Sequence, residues 1–500
     1  MCMPLVAAND VVSAMNTASP QGLYATRVKV QPMAVHGIAR RVKWLILIAC
    51  LGIYYLLPWL RWDRGPNAPN QAVLLDIWER RFYLFWIELW PQDIYLLTGF
   101  LIIAALSLFL VTAMFGRVWC GYTCPQTVWT DLFMWVERLI EGDRNARIRL
   151  DAAPMSASKL ARRIAKHAVW LGIAFWTGGA WIMYYVDAPT VVGEFWTGRA
   201  DMSVYFFTGL FTATTYLLAG WAREQVCTYM CPWPRFQSAM FDEQTLVVTY
   251  QGWRGEPRGH GRREPAAALK TPDLAKKLGD CVDCSACVQA CPTGIDIRDG
   301  IQLECIGCGL CVDACNHVMD KSGGTPWLIT WDTLARQQAK AEGRSEKFRL
   351  VRPRTVLYAG LLLIGLVLLT IAMVSRSRFD VTILHDRAPL FVRLADGSLR
   401  NGYEVKLANK LPEPGHFSLS VRGLADARLS LAEQVRPPAA SVDIDVERDS
   451  VGDARVLLEA RPADLHDGAA VFDFVVTNKD TGKQTLYRSR FMGPSGGSTR

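Results

Sequence analysis

Residues 281–316 read Cys281-Val-Asp-Cys-Ser-Ala-Cys-Val-Gln-Ala-Cys291-Pro292 and, with thirteen residues between Cys291 and Cys305, Cys305-Ile-Gly-Cys-Gly-Leu-Cys-Val-Asp-Ala-Cys315-Asn316. Each half is a Cys-x2-Cys-x2-Cys-x3-Cys run. In that spacing three close thiolates wrap three corners of a [4Fe-4S] cube, and the fourth cysteine reaches across to the other cube. The spacing assigns Cys281, Cys284, Cys287 and Cys315 to one cluster, and Cys305, Cys308, Cys311 and Cys291 to the second. Zinc favours two Cys-x2-4-Cys pairs across a longer gap, which these interleaved runs do not match. Pro292 follows Cys291, whereas Asn316 stands where a second proline would follow Cys315, so the turn there is expected to differ.

Outward from this stretch the chain is too apolar for an ordinary soluble protein. Its 500 residues are 51% hydrophobic with a mean hydropathy of +0.12, a balance that fits a membrane protein with appended domains. Most of the fourteen cysteines sit in metal-ligand spacings, which calls for a compartment that keeps thiols reduced. The net charge of +8 is concentrated beside apolar stretches and needs no nucleic acid.

Five stretches approach the ~20 apolar residues that cross a bilayer: residues 44–60, 94–115, 168–186, 204–221 and 356–374. The aromatic segment 77–90 carries Arg80, Arg81 and Glu88, and charge at mid-bilayer is costly, so an interfacial helix is expected there. Residues 1–43 have no apolar h-region, so the first span is expected to serve as an uncleaved anchor. Fourteen Lys and Arg flank the N-terminal side of span one and fill the loop between spans two and three, against five in the opposing loops. By the positive-inside rule the N-terminus is cytoplasmic, the ferredoxin insert between spans four and five is cytoplasmic, and five crossings leave the C-terminus outside. No histidine lies within a span, which excludes a bis-histidine haem in the bilayer.

The expected architecture is a multidomain α+β membrane protein. It has a tail (1–43), a four-helix membrane domain (44–221), a connector (222–280), a bacterial-type 2[4Fe-4S] ferredoxin domain (281–320), a second connector (321–355) and a fifth transmembrane helix (356–374). Residues 375–500 hold short alternating runs beginning at Val381, Tyr403, Phe417, Val442 and Val471, separated by Gly, Pro, Asn and Asp turns. That is the pattern of an antiparallel β-sandwich of about a hundred residues. It has no cysteine, so it carries no cluster.

Spans two and four end alike, as Cys120-Gly-Tyr-Thr-Cys124-Pro125 and Cys227-Thr-Tyr-Met-Cys231-Pro232. These Cys-x-Tyr-x-Cys-Pro motifs mark an internal repeat relating spans one and two to spans three and four. If a helix runs through each motif, positions i and i+4 put both sulfurs on one face until the proline stops it. Four soft thiolates with the Met230 thioether beside them suit Cu(I), zinc or iron-sulfur. Three readings stay open: a copper-binding or copper-reducing site, a further cluster, and a redox-active dithiol. Cys50, alone in span one, is read as an inert buried thiol, and Cys2 carries no information.

The combination resembles the FixG/RdxA/CcoG family of accessory proteins for the cbb3-type cytochrome c oxidase, a group of membrane polyferredoxins. The resemblance extends through Trp90-Pro-Gln-Asp93, Trp253-Arg-Gly-Glu-Pro-Arg-Gly259, Gly294-Ile-Asp-Ile-Arg-Asp-Gly300, Met319-Asp-Lys321, Arg387-Ala-Pro-Leu-Phe-Val392 and Asn401-Gly-Tyr403, and covers residues from about 25 to the end. It implies two cytoplasmic [4Fe-4S] clusters on the eight cysteines above and an immunoglobulin-like C-terminal domain in the periplasm of a bacterial inner-membrane protein. It further implies cupric reductase activity at Cys120, Cys124, Cys227 and Cys231, supplying Cu(I) during oxidase assembly. The implied partners are a cytoplasmic electron donor, copper chaperones and oxidase subunits, and a second copy of the chain is an assembly the sequence allows. Thr330 and Asn316 depart from the family pattern, and the basic stretch 260–277 reads as a variable linker. A quinol-linked relay without copper and a non-redox assembly scaffold are the rival functions.

Overall fold

Among the described residues, four helices of the computed structural model are long and apolar enough to cross a membrane: Ile38–Trp59, Ile94–Phe115, Met202–Ala222 and Pro353–Val374. The expected third span falls in the helix Ala157–Ile182, which is long enough but starts among Lys159, Arg162, Arg163 and Lys166 and is diluted by Gly172, Gly178 and Gly179. By length and composition that helix does not join the other four, so the fifth expected span is not confirmed. The structure describes residues 29–494 apart from 66–67, 260–277, 378, 411–412, 435–436, 449, 462–464 and 466–467. Cys2 and the linker 260–277 lie outside the described residues.

The chain divides into two compact units. One comprises residues 1–54, 104–179 and 205–361. Here the helix Pro125–Glu141 is amphipathic, and it turns Phe133 and Val136 onto Trp170, Ala174 and Ala219. The same helix buries Asp131, Glu137 and Glu141, each met by cations: Arg40 at 2.8 Å from Asp131, Arg147 and Arg223 at 2.9 Å from Glu137, and Lys166 at 3.0 Å from Glu141. Burial alone would raise the Asp131 and Glu137 carboxyls, but the facing cations override it and hold both below the usual range. The strands Val247–Tyr250 and Ile329–Asp332 pair antiparallel, tying the segment before the first cysteine run to the segment after the second.

The other unit comprises residues 55–103, 180–204 and 362–500. The interfacial helix expected over 77–90 is replaced by a three-stranded antiparallel sheet of Val73–Asp76, Arg81–Leu84 and Ile87–Leu89. Arg80 and Phe85 adopt left-handed backbone at the two turns, with φ of 57° and 54°. Two features stabilise strands over helix. Arg81 and Glu88 come from neighbouring strands and pair at 3.5 Å, and the Arg64 guanidinium donates to the carbonyls of Pro69, Gln71, Ala72 and Phe85.

The C-terminal residues form two packed antiparallel sheets. One orders Arg428–Leu431, Ser450–Ala460, Leu399–Asn409 and Phe379–His385, with Val392–Arg393 added to Leu399–Asn409; the other orders Ser441–Val446, Gly415–Arg422, Ala469–Asn478 and Gln484–Met492. All five alternating runs are strands. Period-two alternation sends Tyr403, Val405, Leu407, Phe417, Leu419, Phe472, Phe474 and Val476 into one core.

Candidate iron-sulfur and thiol site

Each cysteine run turns into a helix at a left-handed residue: Ser285 (φ 56°) precedes Ala286–Ala290, and Gly309 (φ 71°) precedes Leu310–Ser322. Gly309 is also held by space, because a Cβ there would lie 2.1 Å from the Trp331 ring. Pro292 stops the first helix at Cys291. Asn316 does not stop the second, which runs on to Ser322, and its side chain accepts the Trp327 N–H at 2.7 Å.

The structure gathers the eight sulfurs in two groups. Burial pushes the Cys315 thiol up to about 12, and the neighbouring sulfurs adding to that are Cys287, Cys284 and Cys281. Burial also pushes Cys305 up to about 12, with Cys308 and Cys291 adding and a Gly307 N–H donated to its sulfur opposing. Cys311 is raised by burial and by Cys308, Cys305 and Cys291. Cys291, Cys305, Cys308 and Cys311, with Cys287 beside them, line a small pocket whose remaining walls include Val248, Ile295, Ile297 and Ile306. Among the described residues, no three cysteine, histidine or carboxylate side chains converge at the spacing of ligands to a single ion. Four soft sulfurs around an apolar pocket, with backbone N–H groups aimed at them, are a donor set that fits a [4Fe-4S] group.

The membrane-edge motifs are not α-helical. Trp119–Thr123 and Val226–Met230 are π turns, closed by Cys124 N–H to the Trp119 carbonyl at 2.9 Å and Cys231 N–H to the Val226 carbonyl at 2.7 Å. Pro125 and Pro232 force the preceding cysteine to extended backbone, so the two sulfurs of a pair do not share one α-helical face. Cys120 is buried, Cys124 and Cys227 are half-buried, and Cys231 is exposed. Burial pushes Cys120 up to about 12, with the Cys124, Cys227 and Cys231 sulfurs adding to it and Arg117 opposing.

The first motif packs directly on the loop of the second cysteine run. Cys120 and Cys227 belong to one apolar cluster with Ile306 and Cys308. The Tyr122 hydroxyl donates to the Cys308 carbonyl at 3.0 Å. Arg117 donates to the carbonyls of Leu303, Cys305 (2.8 Å) and Pro234 (3.0 Å), clamping that loop. Gly121 lies so close that a Cβ would sit 2.8 Å from the Ile306 carbonyl oxygen. The second motif differs, for Tyr229 and Met230 are exposed.

Several residues here went unnoticed in the sequence. The buried Gln237 carbonyl oxygen is 3.2 Å from the Cys120 sulfur, and Arg117 and Tyr122 hold the loop. Only the repeat itself pointed toward Tyr122. Two stretches quoted above for their resemblance acquire a physical role. Gly255 accepts the Cys281 N–H at 3.3 Å, and Gly259 donates to the Cys281 carbonyl at 3.2 Å, so Trp253–Gly259 cradles the first cysteine of the run. Asp93 takes Arg376 at 2.5 Å and lies 3.5 Å from Lys410, which also pairs with Asp380 at 2.6 Å.

Membrane-spanning helices joined to a double cluster-binding fold define a membrane iron-sulfur redox protein. Family models match residues 222–334 as a "4Fe-4S dicluster domain", residues 97–142 as a "4Fe-4S binding domain", and residues 369–494 as an "IG-like fold at C-terminal of FixG". The nitrogen fixation protein FixG of Rhizobium meliloti (strain 1021) is 46% identical over 97% of this chain and 96% of its own length. From Cereibacter sphaeroides, RdxA is 45% identical over 95% of this chain and 96% of its own, and RdxB is 50% identical over 82% and 85%. The chain belongs to the FixG/RdxA family.

Proposed function

We propose that this protein passes electrons from a cytoplasmic donor to Cys120, Cys124, Cys227 and Cys231, where Cu(II) is reduced to Cu(I) for maturation of a cbb3-type cytochrome c oxidase. The observation that carries this reading is the direct packing of the Cys120 turn on the loop bearing Cys305 and Cys308, sealed by the Tyr122 hydroxyl. When bound, the two [4Fe-4S] clusters supply one-electron carriage, with Cys281, Cys284, Cys287 and Cys315 holding one and Cys291, Cys305, Cys308 and Cys311 the other. Burial of these sulfurs and the N–H donated by Gly307 set the potential at which charge is accepted. Arg117 fixes the loop against the membrane-edge turn, so the route between the two sites does not open. Exposed Cys231 and Met230 offer incoming copper a soft sulfur pair. One electron delivered to one Cu(II) gives one Cu(I), and no proton is consumed.

The basic flanks support an inner-membrane arrangement with the ferredoxin domain in the cytoplasm and the sandwich in the periplasm, facing copper chaperones and oxidase subunits; it requires Ala157–Ile182 to cross as well. Replacing Cys227 and Cys231 by Ala tests the copper site. The ferredoxin EPR signal should remain while cupric reduction by purified protein is lost; reduction at the wild-type rate would remove these thiols from the pathway. A second reading has its own support, since a 4Fe-4S family model covers Cys120 and Cys124. Here the membrane-edge thiols hold a further cluster. About twelve irons per chain in anaerobically purified protein would favour it, and about eight would favour the copper site.

A further inference from the structure

Lys43 lies in the second turn of the helix Ile38–Leu56 with only 2% of the residue exposed, and its ammonium makes no hydrogen bond. The nearest carboxylate, Asp131, is 3.9 Å away and already accepts two hydrogen bonds from Arg40, at 2.8 and 2.9 Å. A buried cation in that position is costly unless negative charge elsewhere answers it. The structure shows where such charge would lie. Lys43 lines a small pocket with Cys227, Pro292, Thr293 and Ile306. Pro292 and Thr293 directly follow Cys291, and Ile306 sits between Cys305 and Cys308. Of the other charged walls, Arg223 is committed to Glu137 at 2.9 Å, and the remaining one is Glu224. Burial pushes the Cys308 and Cys227 thiols up, and Lys43 opposes it at both.

We propose that Lys43 is a positioning residue for electron transfer, a fixed positive charge set between Cys227 and the Cys291/Cys305/Cys308 loop that stabilises added negative charge on either side. Reducing a cluster on that loop adds one electron and breaks no bond, so a cation beside it makes reduction easier and raises the midpoint potential. The Cys281/Cys284/Cys287/Cys315 group has no such neighbour in this pocket. The inference rests on the assignment of Cys291, Cys305, Cys308 and Cys311 to one cluster.

The test is an EPR-monitored redox titration of the full-length protein in detergent with dithionite as reductant, on wild type, Lys43→Met and Lys43→Arg. The signal altered in Cys308→Ser identifies the cluster in question. Lys43→Met should lower the midpoint potential of that cluster by about tenfold in its reduction equilibrium, about 59 mV for one electron, and move the other cluster much less. Lys43→Arg, which keeps the charge, should retain the wild-type value. An unmoved potential in Lys43→Met, or equal falls in the Met and Arg variants, would overturn the proposal. If Lys43→Met does not accumulate, Asp131→Asn removes the opposing charge and should raise the same potential; no change, or a fall, overturns it equally. Wild-type protein without two EPR-active clusters would instead overturn the cluster assignment, and the inference with it.

Discussion

An alanine at Gly121 drives a methyl group into the backbone against which the membrane-edge turn rests. The added Cβ would lie 2.8 Å from the Ile306 carbonyl oxygen and 3.1 Å from both the nitrogen and the Cα of Cys308. These are main-chain atoms of a loop clamped by Arg117 and Tyr122, so no side chain can swing aside. Ordinary contact begins at 3.4 Å, so turn and loop must separate by about 0.6 Å. Overpacking of this kind costs about 1–3 kcal/mol, and widening the gap slows the passage of an electron across it. Gly121→Ala should therefore keep both ferredoxin EPR signals, lose about 1–3 kcal/mol of stability, and, on the proposed function, reduce Cu(II) measurably more slowly than wild type. The assay is anaerobic stopped-flow mixing of reduced protein with Cu(II), read through a Cu(I)-specific chelator. Gly52→Ala, which meets nothing within 4 Å, is the control and should leave the rate alone. A Gly121→Ala protein as fast and as stable as wild type would refute the idea that this contact carries the electron path.

Three further outcomes follow from buried groups. Asp93→Asn takes the carboxylate from Arg376, while Lys410 keeps Asp380 at 2.6 Å, and should cost about 1–3 kcal/mol, seen as a lower thermal midpoint of the detergent-solubilised chain. Tyr403→Phe removes the 2.7 Å hydrogen bond to the Arg490 carbonyl inside the sandwich and should cost about 1–3 kcal/mol without altering the circular dichroism of the native state. Asp131 and Glu137 titrate lower in the folded protein than in the unfolded chain, so their contribution to stability is complete above the unfolded carboxylate values of about 4. It is lost as pH falls through the depressed native values. Thermal stability should be flat on this account from pH 7 to about 5 and fall steeply below 4; a rise on acidification would contradict it, and Glu137→Gln should flatten the fall.

The sequence disclosed what local covalent spacing or strict periodicity encodes. The cysteine runs stand out because a cube of fixed size demands fixed spacing, and the sandwich strands at Tyr403, Phe417 and Val471 because period-two alternation is local. The polar strands Ser450–Ala460 and Gln484–Met492 carry little such signal and passed unremarked. The segment 77–90 was misread because aromatic residues mixed with charges suit an interfacial helix and a small sheet equally. The left-handed turns that decide between them fall on Arg80 and Phe85, not on glycine. The third span is the one the structure does not confirm, because its helix Ala157–Ile182 opens on Lys159, Arg162, Arg163 and Lys166 and carries three glycines. The packing roles of Lys43, Arg117 and Gln237 could not be read from the sequence, in which the first two count only among the basic flanks. Each acquires its surroundings from segments scores of residues away, and nothing in its own neighbourhood marks it.

The two Cys-x-Tyr-x-Cys-Pro turns share a length and a backbone shape, yet Tyr122 is 7% exposed and Tyr229 72%. A duplication that began with interchangeable halves has ended with unequal tolerance for change. At position 122 a replacement must still reach the Cys308 carbonyl, whereas at 229 almost any residue that accepts water will serve. The fastened copy holds the fold steady while the open copy leaves its sulfurs within reach of solvent, so a change at Tyr229 can alter what approaches Met230 and Cys231 without unseating the half that is tied down.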